Sequence, residues 1–281
     1  MGNPKAKARA AHATVHLLLV AVAIVSLFPV IWMMLIALKP VTHSVTGWAA
    51  LLDPAFTVSN FRRVFQLIPF WQNTMNSVIS TLAGTALALF FSSLAGFAFA
   101  KFRFPGRELL FYIIIATLFI PLEVGVIPLF VIMRNLGLVN SLWALILPKM
   151  VPAIGIFYMR QYIQSAVPDE LIEAAKIDGA SDFRTFVQIV LPVIKPGLVA
   201  WGSITIVARW NDFFWPLIIL RSQERFTLML SIALLPVSEG LSTPWQVIMA
   251  GTSLAIIPVM LLYVFVQKYQ ISGITAGALK G

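Results

Sequence analysis

The amino-acid sequence predicts an all-α fold: a polytopic membrane helical bundle with six transmembrane helices. Three observations predict it. Hydrophobic residues make up 59% of the chain and charged residues only 11%, against about 25% charged in a soluble domain. Apolar runs recur that are long enough to cross a hydrocarbon core, which takes about 20 helical residues. Lys and Arg divide unevenly between alternate connecting segments, twelve on one side against six on the other. The richer side faces the cytoplasm by the positive-inside rule.

The first span covers residues 13–38 and follows Lys5, Lys7 and Arg9. A signal peptide has this polarity, but its apolar core is about 7–15 residues long and ends at a small-residue cleavage site. The run therefore reads as a retained helix with a cytoplasmic N-terminus. Residues 40–70, with Pro40, Asp53, Pro54, Arg62 and Arg63, read as an external loop carrying one surface helix. The second span, residues 73–100, has Gly84, Ala88, Ser92, Gly96 and Ala100 at every fourth position. This spacing puts small side chains on one face, where a second helix packs closely or a pore is lined.

Lys101, Arg103 and Arg107 mark a short internal loop. The third span, residues 109–133, is interrupted by Pro121 and Pro128 around Glu123. Broken membrane helices lie against protein or a wet cavity, because lipid cannot satisfy the freed carbonyls. The fourth span, residues 141–158, contains Lys149, and the fifth, residues 197–220, contains Arg209 and Asp212. Residues 221–245 form an external segment, and residues 245–266 return inside, leaving both termini cytoplasmic.

Between the fourth and fifth spans lies the longest charged stretch, residues 168–195. It predicts a helix, a tight turn and a second helix. Pro168 suits a first helical position, and Asp169 and Glu170 place negative charge at the positive helix end. Gly179 accepts the left-handed backbone that ends the helix, Ser181 caps the next one, and Pro192 limits its far end.

Several function classes are excluded. Cysteine is absent, His12, His16 and His43 make no HExxH, and no GxxxxGK[ST] occurs. The chain therefore has no catalytic constellation, no metal site and no P-loop for a nucleotide. Its net charge of +9 reads as cytoplasmic-loop bias rather than nucleic-acid binding. Glu123, Lys149, Arg209 and Asp212 fall at similar depth if each span rises straight at about 1.5 Å per residue, and their charges sum to zero. A charge at such depth costs at least about 2.5–3.5 kcal/mol, so pairing or water must offset it. The four either form a polar belt along a path for a hydrophilic solute or pair structurally, for example Arg209 with Asp212 one turn away.

The pattern Glu173-Ala174-Ala175, Gly179, Ile189, Leu191, Pro192 resembles the EAA loop of membrane-spanning permease subunits of binding-protein-dependent ABC importers. Phe104-Pro105-Gly106, Trp210-Asn211-Asp212 and the tail from Thr275 to Gly281 are similar to the carbohydrate-uptake class, the second subunit of the maltose-permease type. The resemblance runs from about residue 70 to the C-terminus. It implies an N-terminal helix and external loop over 1–70, an importer transmembrane domain over 71–267 with the loop at about 166–196, and a cytoplasmic tail over 268–281. It further implies a second, different permease subunit, two copies of a cytoplasmic ATPase subunit holding ATP and Mg, and an external solute-binding protein. This chain itself would bind no cofactor and perform no covalent chemistry. Glu173, Ala174, Ala175, Asp178, Gly179, Ile189, Leu191 and Pro192 would couple it to the ATPases. Glu123, Lys149, Arg209, Asn211 and Asp212 would be candidates for the translocation path. The expected setting is a bacterial or archaeal cytoplasmic membrane, and the expected solute is a sugar or oligosaccharide, with glycerol 3-phosphate or another polyol derivative as the alternative. An ion-coupled secondary transporter is the rival from another class; it would move solute without an ATPase and often carries an inverted repeat.

Overall fold

In a computed structural model of the chain, residues 4–43, 47, 53–237 and 243–278 are described. Residues 44–46 and 48–52 of the 40–70 loop, residues 238–242 of the 221–245 segment, and residues 279–281 of the tail lie outside them. Among the described residues every regular element is helical. Among the described residues two helices are long and apolar enough to cross a membrane, within α1 (Pro4–Ala37) and as α3 (Phe70–Lys101).

The chain separates into two compact units, residues 1–68 with 234–256, and residues 69–233 with 257–281. In the first unit, α1 presents exposed Leu17, Val22 and Val25, a surface suited to hydrocarbon. Its end is tied down by α2 (Ser59–Leu67), from which Asn60 Nδ2 donates to the carbonyls of Ala37 and Lys39 at 2.8 Å each. These are acceptors that a helix C-terminus leaves over. Lys39 is fully buried, with its ammonium on the Asp53 carbonyl and 4.2 Å from the centre of the Phe56 ring. The Asp53 carboxyl bonds the Ala55 N–H and His43, and both hold it below its ordinary range.

The second unit holds the residues singled out by sequence. Around α3 stand α4 (Arg107–Ala116), α5 (Val126–Asn135), α6 (Trp143–Ile146), α7 (Ala153–Ala166), α8 (Asp169–Ile177), α9 (Asp182–Val193), α10 (Lys195–Trp210), α11 (Phe214–Ile219) and α12 (Leu228–Leu234). The last helix, α13 (Trp245–Ala278), crosses the division between units. The small-residue stripe of α3 is turned into the protein. Gly84, Ala88, Ser92 and Gly96 are buried, and a Cβ at Gly96 would come within 2.9 Å of backbone and Cβ atoms of Met159 and Arg160 on α7.

The third, fourth and fifth spans of the sequence reading are each interrupted. The third bends by 93° between Phe119 and Glu123, so a straight rise does not place Glu123 level with the other charges. Pro121 makes that break. Pro128 does not, because it sits in the first turn of α5, where its missing N–H costs nothing. The fourth stops after a 3-10 turn, Leu147–Lys149, and restarts at Ala153. Pro152 is the cause, since it cannot donate and biases Val151 away from helix. The fifth breaks over residues 211–213. Pro216, like Pro128, sits in the first turn of the helix that follows, where its missing N–H costs nothing. The 221–245 segment also differs from a simple loop. It contains α12, with Leu228, Leu230 and Ile232 buried. Asn73 and Asn76 of α3 donate to the Gln223, Glu224 and Phe226 carbonyls at 2.7–3.0 Å and hold its start.

Candidate functional site

The charged stretch folds as a helix, a turn and a helix. Pro168 is the residue before α8 rather than its first, with Asp169 and Glu170 in the first turn. Gly179 has φ +75°. Its N–H reaches the Lys176 carbonyl at 3.0 Å, and the Ala180 N–H reaches that of Ala175 at 2.9 Å. This paired 5→2 and 6→1 bonding is a Schellman cap, and it requires a left-handed residue after the helix. Ser181 Oγ accepts from the Arg184 N–H at 3.3 Å and opens α9. Residues 186–190 widen into a π turn, because Pro192 has no N–H for the Gln188 carbonyl. At Ile194 the chain bends by 79° and continues directly as α10.

This segment is rooted in the protein on one side and bare on the other. Ile172, Phe186, Val190 and Ile194 share a buried core with Phe97, Met159, Ile163, Val167 and Trp201. Phe186 stacks on Phe97 at 5.7 Å between ring centres. Lys101 ties in the start of α8, donating to the Val167 carbonyl at 2.6 Å and pairing with Asp169 at 2.5 Å. The hydrogen bond and charge of Lys101 hold the Asp169 carboxyl below its ordinary range. Of the coupling candidates, Glu173, Ala174, Asp178, Gly179 and Pro192 are exposed, Ile189 and Leu191 are half-buried, and Ala175 is buried. Two residues missed by the motif stand out. Ile177 is 87% exposed and Phe183 58%, flanking the Gly179 turn. Their apolar character was legible, but the spacing of the motif skips them.

The translocation-path candidates divide. Lys149 Nζ pairs with Asp212 Oδ2 at 2.5 Å, joining the broken end of the fourth span to the break in the fifth. The pair is neither sealed nor free: the Lys149 side chain is 40% exposed and that of Asp212 21%. Arg209 does not pair with Asp212; its Nη2 donates to the Lys149 carbonyl at 2.5 Å. Asn211 is exposed beside them. Glu123 stands apart, exposed on the 93° bend, and no hydrogen bond or ion pair joins it to this cluster among the described residues. No group of His, Cys, Asp and Glu able to hold a metal occurs among the described residues.

Long apolar helices, interrupted helices whose breaks carry facing charges, and a capped helix pair protruding from the core define a membrane-embedded transport subunit. The sequence model for the binding-protein-dependent transport system inner membrane component matches residues 88–275. The chain belongs to that family. It is 36% identical over 263 residues to the arabinooligosaccharides transport system permease protein AraQ of Halalkalibacterium halodurans, covering 92% of this chain and 93% of the relative. It is 36% identical over 253 residues to the lactose transport system permease protein LacG of Rhizobium radiobacter, covering 89% and 90%. The sn-glycerol-3-phosphate transport system permease protein UgpE of Shigella flexneri is 37% identical over 207 residues, 73% of each chain. A chain from the crystal structure of a bacterial ABC transporter that imports the acidic polysaccharide alginate superposes with a TM-score of 0.80. It is 27% identical, and the match covers 96% of this chain and 99% of that one. The chain is accordingly a permease subunit of an ABC importer.

Proposed function

We propose that this subunit forms half of the path for a sugar or oligosaccharide and is driven through the helix pair Asp169–Val193. Six spans, three of them interrupted, cross a bacterial or archaeal cytoplasmic membrane with both termini inside. The domain layout follows, with an importer transmembrane domain over 71–267 and a tail over 268–281. A second, different permease completes the path, two ATPase copies receive the helix pair from below, and an external binding protein delivers the solute. ATP and Mg reside in the ATPases; this chain performs no covalent step.

One observation carries the reading. The second loop helix bends at Ile194 into α10, whose far end carries Arg209 and Asp212. Sixteen residues at about 1.5 Å each span roughly 24 Å. A rigid-body displacement of the loop is thereby delivered to the charged break without an intervening flexible segment. Glu173, Ala174, Asp178 and Gly179 face the ATPase, with exposed Ile177 and Phe183 as apolar anchors. Lys149, Asn211 and Asp212 offer donors and acceptors for hydroxyl groups, and Glu123 lines the path at a separate level.

The solute class draws support from the arabinooligosaccharide and lactose relatives, which match nearly the whole chain. Glycerol 3-phosphate is the second reading, favoured by the UgpE relative. Uptake of labelled arabinotriose, lactose and glycerol 3-phosphate by the reconstituted complex decides between them. ATP-dependent uptake of either sugar supports the first reading. Uptake by the isolated chain under an ion gradient, with no ATPase present, refutes both.

A further inference from the structure

The Lys149–Asp212 pair has a support on α10, the helix that ends just before Asp212. Arg209 Nη2 donates to the Lys149 carbonyl at 2.5 Å, the last residue of a helix that stops there. Carbonyls at such an end have no ladder partner, and a cation is the favoured group to take them. The guanidinium reaches that carbonyl by lying across Gly84 of α3. A Cβ at Gly84 would press on Nη1 and stand 2.7 Å from Cζ and 3.2 Å from Nε. These atoms are the far end of a flexible side chain. A methyl group there would therefore move the guanidinium and leave the helix backbones in place. Gly96, on the same face, is the opposite case, since its neighbours are the backbone of Met159 and Arg160.

We infer that Gly84 and Arg209 are positioning residues for the Lys149–Asp212 pair and do not themselves hold solute. Gly84 leaves the space, Arg209 pins the broken end of the fourth span to α10, and the pin sets how Lys149 Nζ meets Asp212. Arg209 and Asp212 lie three residues apart on the same broken span, so a lost pin frees the Lys149 end while leaving the carboxylate where it is. The inference rests on the reading that this pair lines the path, and it adds a residue with no polar atom in its side chain to the site's machinery.

The test uses the complete transporter in proteoliposomes. The chain has no cysteine, so Asn211→Cys gives it a single thiol beside the pair. Its labelling rates with a small anionic and a small cationic thiosulfonate are measured, and their ratio reports the local potential. Gly84→Ala should change that ratio by at least about threefold, as expected when a unit charge shifts by a few ångströms at an effective dielectric of about 20. The same substitution in an Arg209→Gln background should leave the ratio unchanged. Arg209→Lys, with a smaller head, should restore part of the Gly84→Ala loss. Co-purification with the partner subunits monitors assembly. Equal effects of Gly84→Ala in both backgrounds, or no effect in either, overturn the inference while leaving the path-lining reading intact. A thiol that neither reagent reaches refutes that reading, and the inference with it.

Discussion

Replacing Gly179 tests whether the helix pair transmits motion. The residue sits at φ +75° with nothing within 4 Å of where a Cβ would be. A substitution there meets no steric obstacle, and its penalty is backbone conformation alone. Alanine in the left-handed region costs about 1–2 kcal/mol. Asparagine tolerates that region better and should cost less. Proline cannot adopt a positive φ and also lacks the N–H that bonds the Lys176 carbonyl, so the turn must rebuild, at about 3 kcal/mol or more. The buried roots of the pair, Ile172, Phe186 and Val190, do not depend on this turn and keep the core intact. The expected order of damage is therefore Asn, then Ala, then Pro, with membrane levels near normal throughout. Uptake and binding-protein-stimulated ATP hydrolysis in reconstituted complexes provide the assay. Wild-type values for both in Gly179→Pro, or a ranking that ignores the backbone order, would refute the coupling role.

Other substitutions probe the remaining parts. Phe186→Ala removes a fully buried ring, should lower stability by about 3–5 kcal/mol, and should uncouple the loop; thermal unfolding of the purified complex measures the loss. Gly96→Leu should block assembly, since the backbone it meets cannot yield, and co-purification yield shows whether it does. Asp212→Asn should impair uptake while the complex still assembles; normal uptake would reduce Asp212 to a dispensable structural acid. Asp169, whose folded pKa lies below its ordinary 3.8, contributes stability above that value and loses it as pH falls through the depressed folded value. Lys101→Gln should therefore flatten the acid limb of a stability–pH curve and leave its shape between about pH 5 and 8 unchanged.

What was legible in the sequence follows from which signals are local. The helix pair was readable almost residue by residue, because its signals are backbone ones: Gly179 for the left-handed cap, Ser181 for the next start, acids in the first turn. The buried face of α3 was readable from its four-residue period. The interruptions were less so. Pro121 was recognised, but Pro128 was given equal weight, although a proline in a first turn breaks nothing. Pro152 went unused, although the break before it leaves Lys149 at a helix end, where it meets Asp212. The helix α12 is not legible in the sequence, because seven residues are too few for a span and the 221–245 stretch reads only as an external segment. What holds that segment is a set of donors on α3 some 150 residues earlier in the chain, which no local pattern reveals.

The charged cluster shows the same division more sharply. Sequence named Lys149, Arg209 and Asp212 because ionisable groups in apolar runs are rare and need partners. It proposed Arg209 with Asp212, since helical spacing of three residues makes them neighbours. That pairing assumes a continuous helix. The helix ends at Trp210, so the spacing rule loses its geometry just where it was applied, and Asp212 turns to Lys149 instead. Arg209 instead donates to the carbonyl at the end of another broken helix. Gly84 completes the arrangement from a stripe whose four-residue spacing suggested helix packing or pore lining, and here it serves neither directly. A stripe of small residues has no single purpose: at Gly96 it admits a backbone, and at Gly84 it admits a guanidinium. Only the identity of the neighbour distinguishes them.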